Sequence, residues 1–171
     1  LTWSNFKSDC NNYNKCLIGT EINCDYAFIG GGNHLLSYNY SNYIEDNFID
    51  IFSPNNPSCE AMINNVNNQG GFTYPAHPES EFDPFGAIIQ TWRNYSLNFS
   101  GLQIFNGDIR NTEDNNWPSC NSIPDGEERL TDLLEGLEKW KELILEGKKI
   151  FISAGSDAHG DFQEFGKEYT C

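Results

Sequence analysis

The stretch Phe151-Ile-Ser-Ala-Gly-Ser-Asp-Ala-His159-Gly160 decides how the chain is read. An apolar run gives way to small residues and then presents Asp157 and His159 one residue apart. Such a run reads as a buried strand whose C-terminal end offers a carboxylate and an imidazole to one point in space. That pairing suits Zn, Mn or Fe. An Asp-x-His pair is common by chance. It gains weight here because the other two histidines have similar settings: His34 follows Gly30-Gly-Gly32-Asn33, and His77 lies between Ala76 and Pro78.

Working outward, the segment before this strand is the clearest helix, from about 126 to 146. Leu130, Leu133, Leu134, Leu137, Trp140, Leu143 and Ile144 recur at i, i+3, i+4 spacing. Asp125 with Glu128 forms a capping-box variant, and Gly147 is a natural stop. Towards the N-terminus, residues 1–16 carry Trp3, Phe6, Cys10 and Tyr13 at helical spacing and lead into a strand over 16–22. Gly30-Gly-Gly32 marks a turn before a second strand over 33–38, and residues 39–56 are loop-rich. Pro57 opens a helix over 58–69, stopped by Gly70-Gly71. A strand over 71–76 then delivers His77, whose mount is stiffened by the flanking prolines Pro75 and Pro78. A helix from about 84 to 95 precedes a strand over 101–105. Residues 106–124, with Trp117, Pro118 and Cys120, form a long polar loop of the kind that often shapes a site. Alternating helices and apolar strands predict a parallel α/β sheet. In that architecture functional groups gather at the C-terminal ends of strands, which is where Glu21, His77, Asp157 and His159 fall. The pattern favours a barrel-like site.

With 171 residues, 38% of them hydrophobic, the chain is expected to form one globular domain over residues 1–171. Ten Lys+Arg against 25 Asp+Glu give a net charge of −15, which argues against duplex nucleic acid as a partner. A small phosphorylated substrate stays open if bound cations screen it. No apolar run approaches the roughly 20 residues that span a bilayer. The chain begins at Leu1 with no export signal, which reads as a fragment or processed form. Six cysteines and Asn-x-Ser sequons at Asn39, Asn94 and Asn98 fit secretion; chance sequons in an Asn-rich chain and free thiols are the alternative. The reading leans to the cytoplasm, with secretion as its rival. No cysteine spacing matches a zinc finger.

Five residues are candidate ligands: Glu21, His34, His77, Asp157 and His159. Each also has an ordinary reading. Glu21 fits a solvated strand-end carboxylate, His34 a turn residue, His77 a structural histidine and Asp157 a helix cap. Together, three histidines at turn or strand-end positions of an acidic chain are better explained by one shared metal site.

At this point a family resemblance emerges. Gly19-Thr-Glu-Ile22, Asn33-His-Leu-Leu36, Gly70-Gly-Phe-Thr-Tyr-Pro-Ala-His-Pro78 and Gly155-Ser-Asp-Ala-His159 resemble, in order, the motifs of the PHP (polymerase and histidinol phosphatase) superfamily. Gly101-Leu-Gln-Ile-Phe-Asn106 resembles the strand between its last two histidine-bearing motifs. The resemblance spans about residues 17–160. It implies a distorted (β/α)7 TIM-like barrel, one to three divalent metal ions (Zn, Mn or Fe) at its mouth, and hydrolysis of a small phosphate ester by metal-activated water. It assigns Glu21, His34, His77, Asp157 and His159 to the metals, Asp157, His159 and His77 to catalysis, and Asn106 to substrate. The family opens with a His-x-His strand and a nearby Asp; this sequence has no histidine before His34, so the barrel is expected to be incomplete at its N-terminus. Gln103 stands where relatives often have Glu. Two rival readings remain: hydrolysis of a carboxylic or carbamate ester at the same site, and a non-catalytic PHP-like binding or structural module.

Overall fold

In the computed structural model, the described residues are 3–12, 16–27, 31–44, 57–78, 81–82, 89–90, 92, 94–106 and 127–155. Strand β1 (Gly19–Ala27) and strand β2 (Gly31–Tyr38) pair antiparallel, with Glu21 opposite Leu36 and Asn23 opposite His34. The three residues that separate them are too few for a parallel crossover, which needs about a dozen. Strand β3 (Phe72–Pro75) joins the other side of β2, also antiparallel, giving the order β1-β2-β3.

One face of this sheet is apolar and closed. Ile22, Cys24, Leu35, Ser37, Thr73 and Pro75 are all buried there. Helix α2 (Cys59–Asn68) covers them with Cys59, Met62, Ile63 and Val66, an i, i+3, i+4, i+7 set that forms one helical stripe. Its Ser58 cap accepts a hydrogen bond from the Ala61 N–H. A disulfide between Cys24 and Cys59 ties α2 to β1. Because side chains alternate along a strand, the opposite face carries Glu21, Asn23, His34, Leu36, Tyr38, Phe72 and Tyr74, which are exposed or half-buried.

The second unit is β6 (Gly101–Asn106), α3 (Glu127–Leu145) and β7 (Phe151–Gly155), with β6 and β7 parallel. Leu102 and Ile104 are buried, and Leu133, Leu137, Trp140, Leu143 and Ile152 belong to the same core. α3 ends in a Schellman-type closure: Gly147 takes a φ of +90°, Lys148 N–H donates to Leu143 and Gly147 N–H to Ile144. Ser100 N–H donates to the Thr73 carbonyl at the start of β3, and His77 N–H donates to Gln103 just beyond its end. β3 therefore runs alongside β6 in the same direction, and the C-terminal ends of β3, β6 and β7 come together.

The remaining described elements are α1 (Trp3–Asn11) and a short antiparallel pair, β4 (Glu81–Phe82) with β5 (Ile89–Gln90). A second disulfide joins Cys10 to Cys16. Cys120 and Cys171 lie outside the described residues.

Several expectations are corrected. The described strands form a three-stranded antiparallel sheet, a two-stranded antiparallel pair and a two-stranded parallel pair, with no closed (β/α)7 TIM-like barrel. Among the described residues a helix joins parallel strands at β6–α3–β7, whereas β2–α2–β3 links antiparallel ones and the Gly19–Tyr38 region is a hairpin. The helix expected over 84–95 gives way to β5 and, at its far end, to a turn at Tyr95–Ser96 wherever it is described. β7 is not a buried strand: Phe151 is 69% exposed. Leu134 and Ile144 also point to solvent, so α3 buries a narrower stripe than its spacing implied.

Candidate metal centre

Three of the five candidate ligands meet on the open face of the hairpin sheet. Glu21 is the third residue of β1, not a strand-end residue. His34 lies within β2, not in a turn. His77 follows β3 directly and takes a φ of +33°. One ligand atom from each lies within 4.8 Å of the others.

The contacts centre on Nδ1 of His34, which stands 2.7 Å from Glu21 Oε1 and 3.1 Å from His77 Nε2. The two rings meet edge to face, with centroids 5.0 Å apart. One N–H serves only one of these partners well at a time, whereas a cation among the three atoms takes a lone pair from each. Ligand atoms about 2.0–2.1 Å from a tetrahedral zinc stand roughly 3.3–3.4 Å apart. The 3.1 Å between the two imidazole nitrogens is near that spacing, whereas the 2.7 Å from His34 to Glu21 is a hydrogen-bond distance that an entering ion would have to widen. Two imidazoles and one carboxylate are a donor set that holds catalytic zinc and leaves a position for water; they suit Fe and Mn as well. The side chains of His34 and Glu21 keep 32% and 35% of their exposure, so solvent reaches the site.

Each ligand is set by its backbone. The hairpin places Glu21 and His34 on one face, and the disulfide at Cys24 anchors the hairpin from below. Ala76 N–H donates to the His34 carbonyl at 2.9 Å, which carries β3 up to His77. The His77 N–H in turn donates to Gln103 Oε1 at 3.2 Å. Gln103 is 4% exposed, and its register is followed by a slip in which Phe105 rather than Ile104 faces Ala154. The Gln103 carboxamide also packs against Gly155, where a Cβ would collide with its Nε2.

Asn106 closes β6 and pairs with Gly155 in register, at the same edge as His77. Asp157, His159 and the loop 107–124 lie outside the described residues. Sequence reasoning noticed Gln103 only as a substitution for Glu and missed its bond to His77. The signal available was a lone carboxamide between Leu102 and Ile104 in an apolar strand.

On the same face, Tyr38, Phe72 and Tyr74 form an aromatic cluster with centroids 5.4–6.1 Å apart. Burial pushes the Tyr38 phenol above its ordinary range, reinforced by Tyr74 and by the Glu21 charge. Burial also raises that of Tyr74.

Comparison with protein-family models, curated proteins and solved structures finds no match for this chain.

Proposed function

We propose that the chain is a metal-dependent hydrolase of small phosphate esters, built on a divalent cation held by Glu21, His34 and His77. The observation that carries the reading is the convergence of one carboxylate and two imidazoles from three separate segments. These are also the three described residues to which the PHP-like motifs assign metal ligation. A cation with such ligands brings the pKa of a coordinated water down to about 7 and acts as a Lewis acid on the ester. It also offsets the repulsion between a phosphate and a chain of net charge −15.

The end of β7 supplies the remaining groups in this reading. Gln103 reaches both Gly155 and the His77 backbone. Asp157 follows Gly155 by two residues and, by the PHP-like motif, is assigned as a further ligand. With His34 and His77 committed to the cation, His159 is the histidine left to protonate the leaving oxygen. The same motifs assign Asn106 to substrate. The two disulfides favour an oxidising compartment over the cytosol. No helix among the described residues is long and apolar enough to cross a membrane.

The test is metal content of the purified chain before and after reconstitution with Zn or Mn, paired with turnover of p-nitrophenyl phosphate and p-nitrophenyl acetate. One or more equivalents lost on His77→Ala, with phosphate turnover abolished by Asp157→Ala, is the expected result. Turnover of the acetate alone would assign a carboxylic ester instead. A folded chain that binds no metal would overturn the enzyme and leave the binding-module reading.

A further inference from the structure

His77 holds a left-handed backbone conformation that a side-chain-bearing residue seldom adopts without support. That conformation brings its Nε2 to 3.1 Å from His34 Nδ1. An extended residue at this point would continue the line of β3 and carry the imidazole elsewhere. Two contacts fix the turn. Ala76 N–H is held by the His34 carbonyl, and His77 N–H by Oε1 of Gln103, a residue 26 positions away on another strand.

We propose that Gln103 is the positioning residue of this centre: its buried carboxamide clamps the His77 backbone so that the imidazole faces Glu21 and His34. The proposal rests on the metal-centre reading above. Four observations carry it. Gln103 is almost wholly buried between apolar neighbours, where a carboxamide is retained only if its polar atoms are used. Its Oε1 accepts from the one backbone N–H that the left-handed turn presents. The strand register slips immediately after it, a device that re-aims a side chain. Its other end lies against Gly155, where a Cβ would collide with the Gln103 Nε2 and displace the carboxamide. The carboxamide therefore sets His77 and the end of β7 against a single group.

Outer partners of metal ligands typically contribute 10–100-fold in metal affinity. Gln103→Glu keeps an acceptor for the His77 N–H, whereas Gln103→Leu removes it at similar size. The experiment titrates Co(II) into the metal-free wild type and both variants, following ligand-field absorption and affinity, with thermal unfolding of the metal-free forms alongside. The expected result is a roughly 10–100-fold loss and an altered ligand-field spectrum for Gln103→Leu, with affinity and spectrum restored in Gln103→Glu. Equal cobalt binding in wild type and Gln103→Leu overturns the positioning role and leaves the centre standing. Absence of cobalt binding by the folded wild type overturns both. Amide hydrogen exchange at His77 in the wild type gives a readout that needs no variant: protection is expected, and rapid exchange in the folded chain overturns the clamp.

Discussion

Glu21 Oε1 and His34 Nδ1 are 2.7 Å apart, although the two residues are not partners in the strand ladder. Glu21 faces Leu36 and His34 faces Asn23, so the contact is a diagonal one across the hairpin. Diagonal neighbours on one face lie within reach of long side chains. Because the pair is open to water, a plain ion pair there would stabilise the fold by under about 1 kcal/mol. In the proposed centre the same pair would supply two of the three ligands.

Glu21→Gln preserves size and removes the charge that a cation needs. The loss in Zn affinity is expected to exceed the roughly 10–100-fold typical of an outer partner, with thermal stability of the metal-free chain nearly unchanged. Calorimetric titration checks it. Affinity is also expected to fall on acidification, because the imidazoles and the carboxylate bind only when deprotonated.

At high pH the aromatic cluster becomes the weak point. The phenols of Tyr38 and Tyr74 are raised above the ordinary value of 10.0 by burial, and for Tyr38 also by Tyr74 and Glu21. Between the unfolded and the folded values, the folded chain keeps these protons while the unfolded chain has released them. Their contribution is therefore complete below pH 10 and is lost as pH rises through the raised values. Urea midpoints are expected to hold up to that point and then decline, with delayed phenolate absorbance marking the two residues. A cation at Glu21 reverses one of the three influences on Tyr38, so metal loading should bring part of that absorbance to lower pH.

Cys24 and Cys59 are 35 residues apart, and the cross-link restricts the unfolded chain over that whole interval. Replacing both with Ala is expected to cost roughly 3–4 kcal/mol on the chain-entropy model. Removing the Cys10–Cys16 link, which spans 6 residues, should cost less. Thermal melts of the two double variants should separate clearly in that order.

Thr73 is fully buried, and its Oγ1 has no hydrogen-bond partner among the described residues. Thr73→Val replaces the hydroxyl with a methyl of similar shape and ends the penalty of an unpaired buried group, about 1–3 kcal/mol. A rise in melting temperature is expected, with metal binding unaltered because Thr73 faces α2 and not the centre.

Much of this molecule was legible from residue order alone. Ala61, Met62, Ile63 and Val66 announced α2, although Cys59 and not the exposed Ala61 completes its buried stripe, and Leu133, Leu137, Trp140 and Leu143 announced the buried stripe of α3. Glu21, His34 and His77 were singled out by residue type, and they do meet, although Glu21 is not at a strand end and His34 is not in a turn. What failed was topology. Apolar segments at 16–22 and 33–38 read equally well as parallel strands or as a hairpin, because periodicity carries no direction; the short connection between them decides. Ile89 and Gln90 illustrate local preference overridden by pairing with Glu81–Phe82. The role of Gln103 was hidden for a third reason: its partner is 26 positions earlier, and no local pattern reports a contact at that range.

The centre also has a chronology. Glu21 and His34 belong to a hairpin that closes over three residues, an event of microseconds in typical chains. His77 lies 43 positions after His34, and its clamp comes from a strand further on still. Remote contacts of this kind form after local ones, since more chain must be brought to order first. On the proposed function, a cation arriving early would meet only a two-point chelate, and the third ligand would close last. Tight retention of the ion would then certify a finished fold, and the bound ion would in turn draw the population towards that state.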